Sequence, residues 1–497
     1  MSEPSQTRPA RWLLPAILAG YLILATLYAA CTPAWQAPDE PAHYNYIRYL
    51  AERHRFPVLK PGDYPAAYLE EIKAAHFPLQ MSIAPIRYEF HQPPLYYLLA
   101  VPIYSWFGGS LLPLRLLSVG MGALLLVVVH RAVRELAPGR PFLAPAVAAF
   151  VAFLPMHLAM TAAVNNDTLA ELLLTTILLL TIRYLKGAGT ESHPARLKEG
   201  ELHLPVLLGI TTGLALLTKS SLYIALPLVP LAIAVRHLCL EKRSSAFLPV
   251  VRYLLFALPL GLPWWLRNIA LYGNLDFLGL ERHEQVVVGQ LRTAEFVAAH
   301  GSGQLLRDFG LTTFRSFWGQ FGWMGVLLDQ RLYQALAIFS ALALVGFFLW
   351  AVRTWPGRAR FPAWQWAGGG LLALSALLTL ASYIWYNTRF VQHQGRYLFP
   401  ALLPIGLAVA LGWREALRRE RALLLAALLV AGAAVLRLVG WLPNWPLLML
   451  GFAAAALAIR PFLPRRRDPL VQAVPYLLLL PLDLACLLLF IVPQLSR

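Results

Sequence analysis

The residues best equipped for chemistry in this chain are few, and they stand where apolar stretches begin or end. Pro38-Asp39-Glu40-Pro41 follows the first apolar run, and Asn165-Asn166-Asp167 opens a later one. A general base must lie within hydrogen-bond reach of the proton it removes. A carboxylate at a membrane boundary is a functional candidate by default. Asp39, Glu40 and Asp167 are therefore the candidate catalytic residues, with Asp39 read as the base. The bland alternative is a helix cap, since Asp is favoured at the N-cap and Pro is tolerated in the first turn. The two readings are compatible, because a cap fixes a carboxylate on a rigid element. Lys219, Arg396 and Arg115 also lie at the ends of apolar runs. Basic groups on one rim suit a phosphate leaving group, Arg by bidentate geometry and Lys as a point charge; snorkelling to lipid phosphates is the competing explanation. His91, in Tyr88-Glu89-Phe90-His91-Gln92-Pro93-Pro94, is of the commonest metal-ligating type. One His two residues after Glu89 lacks defined ligand spacing, and a hydrogen-bonded interfacial His competes.

The elements that hold these residues follow from composition. Of 497 residues, 58% are hydrophobic and 13% charged, against roughly 25% charged in soluble domains, and the mean hydropathy is +0.58. Apolar runs of ~17–25 residues match the bilayer core, and closed barrels show short alternating strands instead. The expected fold is an all-α polytopic membrane protein with about thirteen spans: residues 13–30, 112–130, 141–162, 168–186, 203–218, 221–236, 247–266, 332–352, 363–385, 397–413, 422–440, 443–460 and 470–493. The net charge of +17 falls mostly in short basic clusters between spans, as the positive-inside rule requires, with some left to answer anionic lipid. Nucleic acid is excluded as a partner on that ground. Cys31, Cys239 and Cys486 are too scattered for a metal motif or disulfide framework.

With the basic tail (Arg8, Arg11) inside, the clusters Arg131–Arg140, Lys186–Lys198, Arg236–Arg243, Arg353–Arg360, Arg414–Arg421 and Arg460–Arg467 all fall inside. This alternation requires that the proline-interrupted stretch Pro93–Phe107 not cross the membrane. The loop Pro38–His91, Asn165–Asp167, Lys219, Arg267-Asn268 and His393–Arg396 then share the outer face. Ala42, Tyr46, Tyr49, Leu50 and Arg53 fall on one face of an amphipathic helix after Asp39. Gly187–Glu201 reads as a cytoplasmic linker. The chain divides into a transmembrane module at 1–266 containing an outer loop at 32–111, a second outer loop at 267–331, and C-terminal helices at 332–497.

Asp39-Glu40 outside the first span, amphipathic helices, then His91-Gln92-Pro93-Pro94-Leu95-Tyr96-Tyr97 resemble the GT-C membrane glycosyltransferases. The resemblance is to protein O-mannosyltransferases, lipid A aminoarabinose transferases and bacterial relatives that use polyprenyl-phosphate sugars. Arg115, Asn165-Asn166-Asp167, Lys219 and Pro263-Trp264-Trp265-Leu266-Arg267-Asn268 extend the likeness over the first half of the chain. Ser316-Phe317-Trp318-Gly319-Gln320-Phe321-Gly322-Trp323 and Gln394-Gly395-Arg396-Tyr397-Leu398-Phe399-Pro400 resemble an uncharacterised bacterial membrane-protein family grouped with these enzymes. The resemblance implies an inverting transfer of a sugar from a polyprenyl-phosphate donor to a lipid, glycan or protein acceptor, outside a bacterial inner membrane. It implies Asp39 as base and Asp167 as the second acidic residue, with Lys219 and Arg396 on the donor phosphate and Arg115, His91, Arg267 and Asn166 beside them. His91-Gln92 stand where aminoarabinose transferases carry an acid and a lysine that help hold metal and lipid phosphate. A divalent metal is the one cofactor implied, with His91 and Asp39 as its ligands. The competing classes are a transporter or lipid flippase, which would place ionisable residues at the bilayer midplane, and a lipid-linked glycan polymerase or ligase.

Overall fold

Uncharged apolar runs can satisfy their backbone groups inside lipid only as helices, and most of the described residues are helical. Among the described residues the strands are confined to a short hairpin pairing Gln320–Phe321 with Val326–Leu327, with one isolated bridge between Arg292 and Phe390. The computed structural model describes residues 11–187, 194–438 and 444–496. Arg8, the stretch 188–193 of the expected linker and the junction 439–443 between two expected spans lie outside the described residues.

Eleven helices among the described residues are long and apolar enough to cross a membrane, from Leu13–Cys31 to Arg465–Leu495. The bent pair Leu143–Ala152 and Pro155–Thr161 makes a twelfth if counted as one span. The protein is thus an all-α, multi-pass membrane protein, but the expected count of thirteen is not reached. The run expected at 203–218 lies in the helix Pro194–Leu216, which also takes in the end of the expected linker, and the run at 141–162 is bent by 68°. The cause of the bend is local. Pro155 has no N–H to give the Val151 carbonyl four residues back. The Nδ1 of His157 lies 2.7 Å from that oxygen and takes the missing donor's place.

Leu95–Trp106 has twelve residues and an internal Pro102. At 1.5 Å per residue it is about 18 Å long, too short for a core of ~30 Å. It packs instead beside the juxtamembrane helix Glu40–Arg53, with Tyr46 stacked on Tyr97 at 3.7 Å between ring centres. The Asn45 amide donates to the carbonyls of Ile83 and Ile86, both at 2.7 Å. Of the expected buried face, Ala42, Tyr46 and Leu50 are buried, whereas Tyr49 is half-buried and Arg53 exposed. The helix is covered on two sides: Tyr46, Ile47 and Leu50 join Tyr96, Tyr97 and Leu114, while Ala42 joins Leu69, Ile72, Ile86 and Tyr88. The segment 267–331, expected as a second outer loop, contains the helices Leu280–Val286 and Thr293–Trp318, the latter kinked at Gly301, where φ is +81°.

Candidate active site

Asp39 stands at the N-cap of Glu40–Arg53, but its side chain makes no capping bond. Its backbone has φ +67°, the left-handed region that Asp tolerates better than most residues. This conformation turns the carboxylate away from the helix. Its Oδ1 accepts from the Tyr88 hydroxyl at 2.7 Å, and its Oδ2 accepts from Arg396 Nη2 at 2.5 Å. A quarter of the side chain is exposed. Burial on its own pushes the carboxyl up, but the Arg396 charge, the neighbouring His43 and the Tyr88 hydrogen bond outweigh it and hold Asp39 down at about 2.

Arg396 is delivered by the turn Gly395–Ala401. Gly395 lies so tightly on the helix Thr293–Trp318 that a Cβ would overlap the Phe317 backbone and the Thr313 carbonyl. Its N–H donates to Ser316 Oγ at 2.7 Å. Arg396 Nε donates to Gln394 Oε1 at 2.7 Å, and Nη1 lies 4.0 Å from the Met160 sulfur.

Asp167 opens the helix Asp167–Lys186, and its Oδ1 accepts from Lys219 Nζ. The turn before it is locked locally. Asn165 Oδ1 accepts from the Asp167 N–H at 3.0 Å, and the Asn165 amide donates to the Met160 carbonyl at 2.8 Å. The Asn166 amide reaches the Thr218 carbonyl at 3.2 Å and Gln92 Oε1 at 3.4 Å. Arg396 and His43 lie within electrostatic reach of both Asp39 and Asp167. The structure thus brings Asp39, Arg396, Asp167, Lys219 and Asn166 to one end of the helix assembly.

Glu40 and Arg115 belong to a different arrangement. Arg115 Nε and Nη2 donate to the two Glu40 oxygens at 2.8 and 2.6 Å. Its remaining contacts are the carbonyls of Ala29 and Thr32, from Nη1, and of Pro33, from Nη2. Glu40 also accepts from the N–H groups of Trp35 and Val164. An arginine has five N–H donors, and all of them are engaged here. The pair fastens the first span, the helix Glu40–Arg53 and the chain at Val164, and no Arg115 donor is left for a phosphate. Arg267 is also placed elsewhere. It stacks on Trp264 at 4.3 Å and bonds the Pro57 carbonyl and Asn268, holding the chain after Glu40–Arg53 to the end of the helix Phe247–Tyr272.

His91 Nδ1 lies 3.0 Å from the Tyr88 carbonyl, and its ring faces His283 at 4.5 Å. Burial pushes His91 down to about 4 and His283 to about 3. Among the described residues no group of three or more His, Cys, Asp or Glu is placed to hold a metal ion. Asp39 turns to Tyr88 and Arg396, and His91 to Tyr88 and His283. The residues present do not fit the metal set expected from His91 and Asp39.

Several site residues had no assigned role in the sequence. Tyr88 lies 49 positions from Asp39, so no local spacing announces the contact. His43 follows Asp39 by one helical turn and lies 2.8 Å from the Tyr97 hydroxyl; that i, i+4 spacing was a usable signal. Burial pushes the Glu89 carboxyl up, with Asp39, His43 and Lys219 as its charged neighbours.

No family model and no curated protein matches the sequence. Among solved structures, the chain matches ArnT from Cupriavidus metallidurans, determined with undecaprenyl phosphate bound, at TM-score 0.50 and 16% identity over 96% of this chain and 77% of that one. The likeness is one of fold: this chain shares the overall architecture of that ArnT structure. A weaker match, at TM-score 0.47 and 15% identity, is an Archaeoglobus fulgidus oligosaccharyltransferase tethered to an acceptor peptide; it covers 94% of this chain and 55% of that one.

Proposed function

We propose that this protein is an inverting glycosyltransferase that moves a sugar from a polyprenyl-phosphate donor to an acceptor hydroxyl on the extracytoplasmic face of the membrane. The observation that carries the reading is the convergence of two carboxylate–cation pairs, Asp39 with Arg396 and Asp167 with Lys219, from four separate parts of the chain. A single displacement needs those components. The acceptor oxygen forms a bond to the anomeric carbon while the bond from that carbon to the phosphate oxygen breaks. The electron pair leaves on the phosphate, and the hydroxyl proton passes to a carboxylate. A polyprenyl phosphate leaves as a stable anion, so no general acid is required; Arg396 and Lys219 supply positive charge where negative charge develops. Asp39 takes the proton, and Asp167 orients the acceptor. Glu40 and Arg115 act as the frame beneath them. The likeness in fold to ArnT, determined with undecaprenyl phosphate bound, supports the donor class.

The test is transfer of radiolabelled sugar from defined polyprenyl-phosphate donors by purified protein in lipid. Transfer that yields an inverted glycoside is expected. Absence of transfer from every polyprenyl-phosphate donor, alongside uptake or flipping of such lipids, would put the chain among transporters.

A further inference from the structure

Three cations of this region are paired with carboxylates, but the pairs differ in kind. Arg115–Glu40 is sealed: the side chains are 4% and 0% exposed and every arginine donor is committed. Arg396–Asp39 and Lys219–Asp167 are reached through their carboxylates, Asp39 being 25% and Asp167 29% exposed where Glu40 is not exposed at all, although Arg396 itself is as buried as Arg115. Arg396 meets Asp39 through Nη2 alone, and its Nη1 faces only the Met160 sulfur. Solvent-exposed ion pairs are held by about 0.2–1 kcal/mol in measured cases, and the partial exposure of Asp39 and Asp167 gives a competing anion a way to their cations. A phosphate offers several acceptor oxygens and can serve both cations at once, whereas each carboxylate serves one.

We propose that Asp39–Arg396 and Asp167–Lys219 are exchangeable latches: the donor phosphate takes both cations, and that exchange releases the two carboxylates to receive the acceptor. The proposal rests on the function proposed above and adds a compulsory order, donor before acceptor. The carboxylates have separate anchors that outlast the exchange. Tyr88 still holds Asp39 Oδ1, and the Asn165 side chain still holds the backbone of Asp167. Each acid would be freed in place rather than set adrift. No covalent step is involved; the exchange trades one anion for another on the same cations.

The test uses the full chain in lipid nanodiscs and bare undecaprenyl phosphate, without sugar, as the probe. Neutralising a latch carboxylate frees its cation, so Asp39→Asn and Asp167→Asn should bind the probe more tightly than wild type, by up to about fivefold. Plain relief of charge repulsion would also tighten binding, and a double-mutant cycle separates the two. Arg396→Gln should weaken binding, and Asp39→Asn added to Arg396→Gln should give no gain. Lys219→Gln with Asp167→Asn should behave likewise. Unchanged or weaker binding by both single variants would overturn the latch, and so would an equal gain from Asp39→Asn with and without Arg396. Thermal melting of each variant reports folding, and the second pair serves where a variant of the first fails to fold. If wild type does not bind the probe at all, the donor-phosphate reading falls and the latch with it; wild-type binding without the cation-dependent gain removes the latch alone.

Discussion

Arg115→Met separates a framing role from a phosphate-binding one. The substitution keeps an unbranched apolar stem and removes the guanidinium. Glu40, fully buried, then keeps only the N–H groups of Trp35 and Val164, and the carbonyls of Ala29, Thr32 and Pro33 lose their donor. Removing one partner of a buried ion pair costs about 3–5 kcal/mol, because the other charge stays behind uncompensated. The orphaned carbonyls add to that, though not additively. Against a typical total of about 5–15 kcal/mol, the variant should melt far below wild type or fail to fold. Glu40→Leu combined with Arg115→Met removes both charges and should recover part of the loss. The assay is thermal unfolding in detergent followed by size exclusion, with binding of undecaprenyl phosphate measured on whatever remains folded. An Arg115→Met protein as stable as wild type that has lost only its lipid-phosphate affinity would refute the reasoning and return Arg115 to the donor site.

Asp39→Asn should slow sugar transfer by about 10²–10⁴-fold while melting near wild type, since Asn tolerates the left-handed backbone and the lost ion pair is partly exposed; measured rate and melting temperature together check this. Stability should fall with pH through His91. Its proton affinity drops from an ordinary 6.5 to about 4 on folding, so between those values the unfolded chain binds more protons and stability is lost as pH falls. At pH 5 the loss attributable to His91 is about 2 kcal/mol, and His91→Asn should flatten the melting curve against pH between 7 and 5. Single cysteines at Lys60 and Arg134 should react with an impermeant reagent from opposite sides of the membrane; labelling of both from one side would invalidate the orientation.

The helical, multi-pass fold was legible because lipid leaves backbone groups no other partner, so length and apolarity alone identify spans. The count was less legible, for a reason visible at Pro155. A proline inside an apolar run does not change hydropathy, yet it removes one donor and bends the chain by 68°. His157, which repairs the exposed carbonyl, is one more polar letter in the sequence. The candidate site was half legible in the same way. Asp39, Asp167, Lys219 and Arg396 stood out because each is a charge at the end of a span, where position alone makes a residue conspicuous. Their division into pairs was not readable, since Asp39 meets a residue 357 positions away and Asp167 one 52 positions away. Glu40 and Arg115 were conspicuous for the same positional reason and were assigned to chemistry, but what distinguishes them is saturation. A charge whose every donor and acceptor is met inside the protein has nothing left to offer a substrate, and sequence records the charge without recording how many of its bonds are spent. The open pairs, Asp39–Arg396 and Asp167–Lys219, are those with exposure and donors in reserve. Spare bonding capacity at a charged residue is the property that separates site from scaffold on this face, and it exists only once the helices are packed.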